Sequence, residues 1–149
     1  MEPEDVTIAI RPLASAEIPQ LWELWRAAGL PIRSQGRDSL AALSRQCRAN
    51  PGGFLGAFAG TLLVGSVIAS DDGRRGWINR LAVAPEFRHV HLGARLLNAA
   101  ETQLHGRGLS IIGAHAHAGN HASRALLLYA GYKPMGDIIY FSKRDSDEA

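Results

Sequence analysis

The segment from Gly76 to Ala118 constrains the fold of this 149-residue chain most strongly. A β-type run from about Gly76 to Val83 leads to Pro85, and His91 to His105 then carries apolar residues at helical spacing. Leu109 to Ala118 forms a second β-type run. A strand, a crossover helix and another strand place the two strands side by side and parallel. We therefore expect a parallel pair inside a larger mixed sheet.

The periodicity of the remaining sequence predicts the order β-α-α-β-β-β-α-β-α-β. Consecutive strands in the middle of the chain are expected to be antiparallel. The fold class is therefore α/β, with a mixed sheet of the α+β type and helices on both of its faces. The other predicted strands are Val6–Arg11, Phe54–Ala59, Leu62–Ser70 and Ile138–Ser142. The other predicted helices run from a cap at Ser15 to Gly29, from a cap at Asp38 to Asn50, and from Ser123 to Ala130, and residues 145–149 are predicted to form a fraying polar tail.

Length and composition indicate one ordinary globular domain over residues 1–149. Cys47 is the only cysteine, so the sequence forms no intrachain disulfide and no cysteine-based metal cage. The acidic first residues lack the features of a signal peptide, and no apolar run approaches the ~20 residues of a membrane helix. We expect a cytoplasmic protein with no membrane partner.

The basic residues are nearly all arginines, since Lys133 and Lys143 are the only lysines. Arginine suits carboxylates and phosphates, which is compatible with an anionic ligand. A formal net charge of +2 is too small to indicate nucleic-acid binding, and no basic run with interleaved aromatic residues supports it.

The loop between Val83 and the helix that starts near His91 is a candidate phosphate site. The N-terminus of a helix presents unpaired backbone N–H groups and the positive end of the helix dipole. Gly93 allows the backbone to approach an anion closely, and Arg88 adds a cation just before the helix.

These residues carry a resemblance to a known family. Leu81-Ala82-Val83-Ala84-Pro85-Glu86-Phe87-Arg88, followed by His91-Leu92-Gly93-Ala94-Arg95-Leu96-Leu97, resembles motif A of the GNAT N-acetyltransferase superfamily. Downstream, Asn120 precedes Gly131-Tyr132 much as in that family, and the resemblance covers about Ile8 to Arg144. Similarity to small bacterial YpeA-type members extends to Leu24-Trp25, Gly29-Leu30, residues 72–76 and Ser142-Lys143-Arg144.

The resemblance implies an acyl-CoA N-acyltransferase fold and acetyl-CoA as cosubstrate. It implies an N-acetyltransferase in which a primary amine, on a small molecule or a protein, attacks the thioester directly in a ternary complex. The alternative is a non-catalytic CoA-binding module or sensor on the same fold. The residues that the resemblance assigns to the cofactor are Leu81, Ala82, Val83, Arg88, His89, Val90, His91, Leu92, Gly93, Ala94, Asn120 and Ser123.

The sequence departs from the family pattern at two positions. His91 replaces the first glycine of the loop, where its side chain either crowds the pyrophosphate, points outward, or sits on an ordinary helical backbone. Leu127 stands where many members have the tyrosine that protonates the leaving thiolate. Tyr129 lies about 200° further round the helix and is a poor substitute, so the thiolate is expected to leave directly.

His115 is the candidate catalytic base. It lies five residues before Asn120, where the ribosomal-protein alanine acetyltransferases carry a glutamate that acts as base. Histidine has a suitable unperturbed pKa near 6.5. The alternative is a strand histidine with a structural role. His117 shares the same face of the strand and is a candidate for lining the acceptor slot.

Two further features leave alternatives open. His89/His91 and His115/His117 form His-x-His pairs, but zinc needs three or four ligands close together, and no metal is expected. Arg33, Arg37 and Asp38 in the loop between the first helices either select a charged acceptor or are solvated. The oligomeric state is also open, a homodimer included.

Overall fold

The structure is a computed structural model that describes residues 7–88 and 90–149. The strands are β1 (Ile8–Pro12), β2 (Phe54–Ala59), β3 (Leu62–Asp71), β4 (Gly76–Val83) and β5 (Ile112–Ala114). The helices are α1 (Gln20–Ala27), α2 (Leu40–Ala49), α3 (Leu92–Gly106) and α4 (His121–Tyr129). Short 3-10 turns occupy Ser15–Glu17 and Pro85–Phe87.

The five strands form one sheet in the order β1-β2-β3-β4-β5. Neighbours from β1 to β4 are antiparallel, whereas β4 and β5 are parallel and are joined through α3. The mixed sheet and the crossover helix confirm the fold class that the sequence predicts.

Alternation along the strands separates two apolar cores. Leu55 and Ala57 of β2 pack with α3, whereas Phe54 and Phe58 of the same strand pack with Trp25 and the rest of α1. Side chains alternate between the two faces of a strand, so α1 and α3 cover opposite faces of the sheet. Helices on both faces were predicted, and the structure confirms them.

A bulge in β4 opens the sheet at Arg80. The backbone of Arg80 has a φ of 54°, and the register with β3 shifts opposite it, between Ser66 and Ile68. Pairing of β4 with β5 ends at Ile78, so the two strands diverge beyond that residue. Bulges re-aim a strand in this way and occur often beside functional sites.

The divergence explains why two strand predictions were wrong. Leu109–Ala118 was predicted to be a strand, but only Ile112–Ala114 pairs, since the bulge removes the partner for residues 115–118. Ile138–Ser142 forms no strand, because β5 offers an edge of only three residues. The apolar side chains of that segment are therefore exposed, and Phe141 is 86% exposed.

The first strand and the first helix also differ from their predicted bounds. The predicted strand Val6–Arg11 is observed from Ile8 to Pro12, and Val6 lies outside the described residues. α1 begins at Gln20 and not near Ser15, because Pro19 has no N–H with which to bond the Ser15 carbonyl.

The α1–α2 loop and the tail correct two further predictions. Ser39, and not Asp38, caps α2, since its hydroxyl accepts from the Ala42 N–H at 3.1 Å. The polar tail does not fray in the structure, because the Arg37 Nη1 group donates to the Ala149 backbone oxygen at 3.0 Å. None of the helices in the described ranges is long and apolar enough to cross a membrane.

Candidate active site

A cavity of about 950 Å³ opens where β4 and β5 diverge. Its walls come from the α1–α2 loop, α2, the ends of β2 and β3, β4, the residues that follow β5, and the first turns of α4. The divergence of the two parallel strands therefore joins the α1 side of the sheet to α4 in one continuous space.

Arg80 ties the α1–α2 loop to the sheet at this cavity. Its Nη1 donates to the Pro31 carbonyl at 2.6 Å and its Nη2 to Asp38 Oδ2 at 2.9 Å. The guanidinium lies 4.6 Å from the ring centroid of Trp25. The Trp25 indole N–H donates to Ser66 Oγ at 3.0 Å, and that hydroxyl donates to the Arg80 carbonyl at 3.1 Å. The strained bulge is thus held by hydrogen bonds on both its backbone and its side chain.

His115 lines the cavity between two aromatic rings. Its imidazole lies 5.5 Å from the Trp77 ring and 5.5 Å from the Tyr140 ring, measured between centroids. Gly113 has no side chain, and a Cβ there would meet Trp77 Cζ3 at 2.6 Å, so the glycine lets the indole lie across β5. His117 also lines the cavity. The predicted base thus packs beside two aromatic rings at the wall of the cavity.

The N-terminus of α3 lies beside the end of β4, and none of the residues from Val90 to Ala94 lines the cavity. A Cβ on Gly93 would lie 3.2 Å from Leu126 Cδ2 and 4.0 Å from Val83 Cγ2, so the first turn sits between the end of β4 and α4. Gly93 and Ala94 belong to this turn, whose backbone N–H groups carry the positive end of a 15-residue helix. Arg88 folds back toward β4, with its Nε 3.4 Å from the Val83 carbonyl.

His91 is the residue before α3, and its backbone is left-handed, with φ 60° and ψ 21°. The interpretation that His91 has an ordinary helical backbone is therefore wrong. The family's glycine and the histidine of this chain stand at a position that favours glycine, because a Cβ costs free energy in this conformation.

The structure brings several predicted residues together and separates others. Leu81, Asn120 and Ser123 line the same cavity as His115. Asn120 Oδ1 also accepts from the Ser123 N–H at 3.1 Å and so caps α4. This cap fixes the start of α4 at the wall of the cavity.

Other predicted residues can offer only their backbone groups. Ala82 and Leu92 are buried, and Val83 and Val90 pack against the core under α3. Their side chains are therefore committed to packing within the fold. His89 lies outside the described residues.

An apolar residue, Leu127, occupies the position where many family members have the tyrosine acid. Leu127 lines the cavity, whereas Tyr129 points away and is 89% exposed, as the phase of the helix predicts. Tyr132 donates its hydroxyl to Glu101 Oε2 at 3.1 Å. Burial, with a further contribution from Glu101, raises the pKa of the Tyr132 phenol above its usual value. Tyr132 is thus committed to a contact with α3.

Two residues of the cavity were missed at the level of sequence. Tyr140 lay in a predicted strand and was given no role. The signal that could have identified it is an aromatic residue in a strand expected next to the strand that carries His115. Arg80 lay in a predicted strand, where its place in the alternation gave it no special role. Periodicity does not reveal a bulge. Among residues 7–88 and 90–149, no three His, Cys, Asp or Glu side chains gather closely enough to hold a metal ion.

Several solved structures share this fold. The PaiA N-acetyltransferase of Thermoplasma acidophilum, solved with coenzyme A, superposes with a TM-score of 0.76 at 23% identity, over 85% of this chain and 90% of that one. The ribosomal-protein-S18-alanine N-acetyltransferase of Escherichia coli gives a TM-score of 0.68 at 18% identity, over 84% and 77%. An aminoglycoside N-acetyltransferase in complex with CoA gives 0.72 at 16% identity, over 93% and 96%.

A comparison with curated protein sequences yields no significant match. The model of the acetyltransferase (GNAT) family matches residues 18–132, which is most of the chain. The order of strands and helices, the diverging parallel strands and this match agree, and the chain belongs to the GNAT acetyltransferase family.

Proposed function

We propose that this chain transfers the acetyl group of acetyl-CoA to a primary amine. One observation carries the proposal. The cavity at the divergence of β4 and β5 contains His115 and extends to the α1–α2 loop, and the N-terminus of α3 lies next to it, against Val83 and Leu126. The cavity thus offers an imidazole and room for an acceptor, with a phosphate-binding helix end beside it.

The loop before α3 and the free edge of β4 fit acetyl-CoA. The backbone N–H groups from Val90 to Ala94 would hold its pyrophosphate, since they combine unpaired donors with the helix dipole. The edge of β4 over residues 81–83, which β5 leaves free, would pair with the pantetheine arm as an added strand. Arg88 lies close enough to this edge to add a positive charge. Acetyl-CoA supplies an acetyl group activated as a thioester.

His115 is proposed to manage the proton of the acceptor. A primary amine is mostly an ammonium ion at neutral pH, and it must lose a proton before or during attack. The imidazole of His115, held between Trp77 and Tyr140, accepts that proton directly or through a water molecule. The amine nitrogen then bonds to the acetyl carbon as the carbon–sulfur bond breaks, and it loses its second proton to solvent as the neutral amide forms. Because Leu127 cannot donate a proton, the sulfur leaves as a thiolate and is protonated by solvent.

Release of free CoA thiol with a panel of primary amines tests this function. His115→Ala should lower kcat at least about tenfold while CoA affinity stays near wild type. His105→Ala, on the exposed last turn of α3, is the matched control and should retain full activity. An unchanged rate in His115→Ala at every pH would return His115 to a structural role.

Gly93→Glu tests the placement of the cofactor. It should abolish CoA binding, because a carboxylate would stand beside the helix N-terminus and the pyrophosphate. Retained CoA affinity in the folded variant would contradict the proposed phosphate site, whatever the rate.

The second candidate function is a CoA-binding sensor without catalysis. Leu127 at the position of the acid and the strained His91 favour it. Tight binding of CoA by the purified chain, with no thiol released by any amine, would support the sensor and overturn the enzyme.

A further inference from the structure

The charged side chains that line the cavity already have partners. Within the described residues they are Arg37, Arg80 and Asp38, in addition to the two histidines. Asp38 is buried, and its Oδ2 accepts from Arg80 Nη2 at 2.9 Å and from the Arg33 N–H at 2.8 Å. Arg37 Nη1 donates to an oxygen of the terminal carboxylate of Ala149 at 3.0 Å. The wall that the structure describes therefore holds neither a free carboxylate for a second ammonium group nor a free guanidinium for an anion.

Much of the remaining wall is apolar. The larger apolar side chains that line the cavity without being fully buried are those of Leu30, Pro31, Ile68, Leu81, Leu127 and Tyr140. Two neutral polar side chains of the wall are committed to the fold. Gln46 Nε2 donates to the Arg37 carbonyl at 2.8 Å, and Asn50 Nδ2 donates to the Ala69 carbonyl at 2.8 Å. The surface that remains for an acceptor therefore favours an uncharged molecule.

An unpaired charge is costly in such a cavity. A charged group that leaves water needs a partner of opposite charge or several hydrogen bonds, and the ion pairs of the wall leave neither. The reacting amine avoids this cost, because it gives up a proton and attacks as the neutral form. A second ammonium group, or a carboxylate on the acceptor, keeps its charge throughout the reaction.

We propose that the acceptor is a primary amine whose reacting amino group is its only charged group, joined to an uncharged and mainly apolar body. This inference rests on the proposed acetyl transfer and specifies its substrate class. The apolar body would lie against the walls at Leu30 and Ile68 while the amine reaches His115. The selectivity against polyamines and amino acids then comes from the charge that these molecules would leave unpaired.

The test compares three amines with the same six-carbon chain: hexylamine, 1,6-diaminohexane and 6-aminohexanoate. Each presents the same reacting amino group, so the group at the far end is the only difference. The value of kcat/KM should be about tenfold higher for hexylamine than for either of the other two. An equal or higher kcat/KM for the diamine or for the amino acid would overturn the inference.

A carboxylate added to the wall should change this selectivity. Ala49 is the last residue of α2, is exposed and lines the cavity. Ala49→Asp should raise kcat/KM for diamines of six to ten carbons severalfold and leave that for hexylamine within about twofold. Ala27→Asp is the matched control, because Ala27 is the exposed last residue of α1 and does not line the cavity. A ratio of diamine to hexylamine that stays as low in Ala49→Asp as in Ala27→Asp would refute the charge argument.

Failure of the transfer reaction itself remains distinguishable. If no amine releases thiol, the proposed function falls, and binding then decides the inference. Calorimetry of the CoA-loaded protein would compare N-hexylacetamide with N-acetyl-1,6-diaminohexane and N-acetyl-6-aminohexanoate. Tighter binding of the uncharged amide would support an uncharged acceptor site, and equal or tighter binding of either charged molecule would overturn it.

Discussion

The left-handed backbone of His91 predicts an unusual response to glycine. Substitution of glycine for a surface histidine normally destabilises a protein, because glycine loses more conformational entropy on folding. At His91 the φ of 60° reverses the argument, since the Cβ is the source of strain. Removal of that Cβ in His91→Gly should therefore stabilise the fold.

The magnitude follows from two opposing terms. A non-glycine residue in this conformation costs about 1–2 kcal/mol. The greater freedom of glycine in the unfolded chain costs about 0.4–1 kcal/mol. The net expectation is a gain of about 0.8 kcal/mol in the free energy of unfolding, and a rise of about 2–3 °C in Tm for a chain of this length.

Thermal denaturation of three variants checks this prediction. His105 lies in the last turn of α3, so His105→Gly should lower Tm for the ordinary reason. His91→Ala removes the imidazole but keeps the Cβ, and it should give no gain. A Tm for His91→Gly that falls as His105→Gly does, or a rise in His91→Ala equal to that in His91→Gly, would refute the strain argument.

Three further predictions concern packing, pH and the acid position. Tyr129→Phe should leave kcat/KM within about twofold of wild type, since the side chain lies in solvent, and a large drop would contradict the helix phase. Trp25→Phe should destabilise the fold by about 2 kcal/mol in urea denaturation, because the indole N–H bond to Ser66 is buried, and a loss below about 0.5 kcal/mol would contradict this. Arg11 and a backbone N–H lower the pKa of Glu17 to about 2. The stabilisation from this carboxylate is full above its ordinary pKa of 4.5 and is lost as pH falls through about 2. Glu17→Gln should therefore be less stable than wild type at pH 7 and equal to it near pH 2. A difference in stability that persists near pH 2 would contradict the assignment.

Local pattern was sufficient for the framework of the fold. The spacing of apolar residues in α3, the alternation along β2 to β4 and the crossover between parallel strands all follow from short stretches of sequence. The proposed phosphate loop was predicted from its place between a strand and a helix. The position of Leu127 against Tyr129 likewise followed from helix geometry alone.

Long-range contacts decided what local pattern could not. The bulge at Arg80 depends on Ser66, Asp38 and Pro31, which lie 14 to 49 residues away in the chain. Such contacts form only in the folded chain, so no local periodicity reports them. For that reason local pattern predicted neither the shortened β5 nor the unpaired segment from Ile138 to Ser142.

The sequence by itself determined the order of the elements from β1 to α4 and the family, and it suggested His115 as the candidate base. Only the tertiary structure decided which groups share a cavity. His115 packs against Tyr140 there, and Asp38, which was expected to cap a helix, forms an ion pair with Arg80. The physical reason is that propensity and periodicity act within a few residues, whereas the charge and shape of a site depend on side chains that the fold brings together from distant segments.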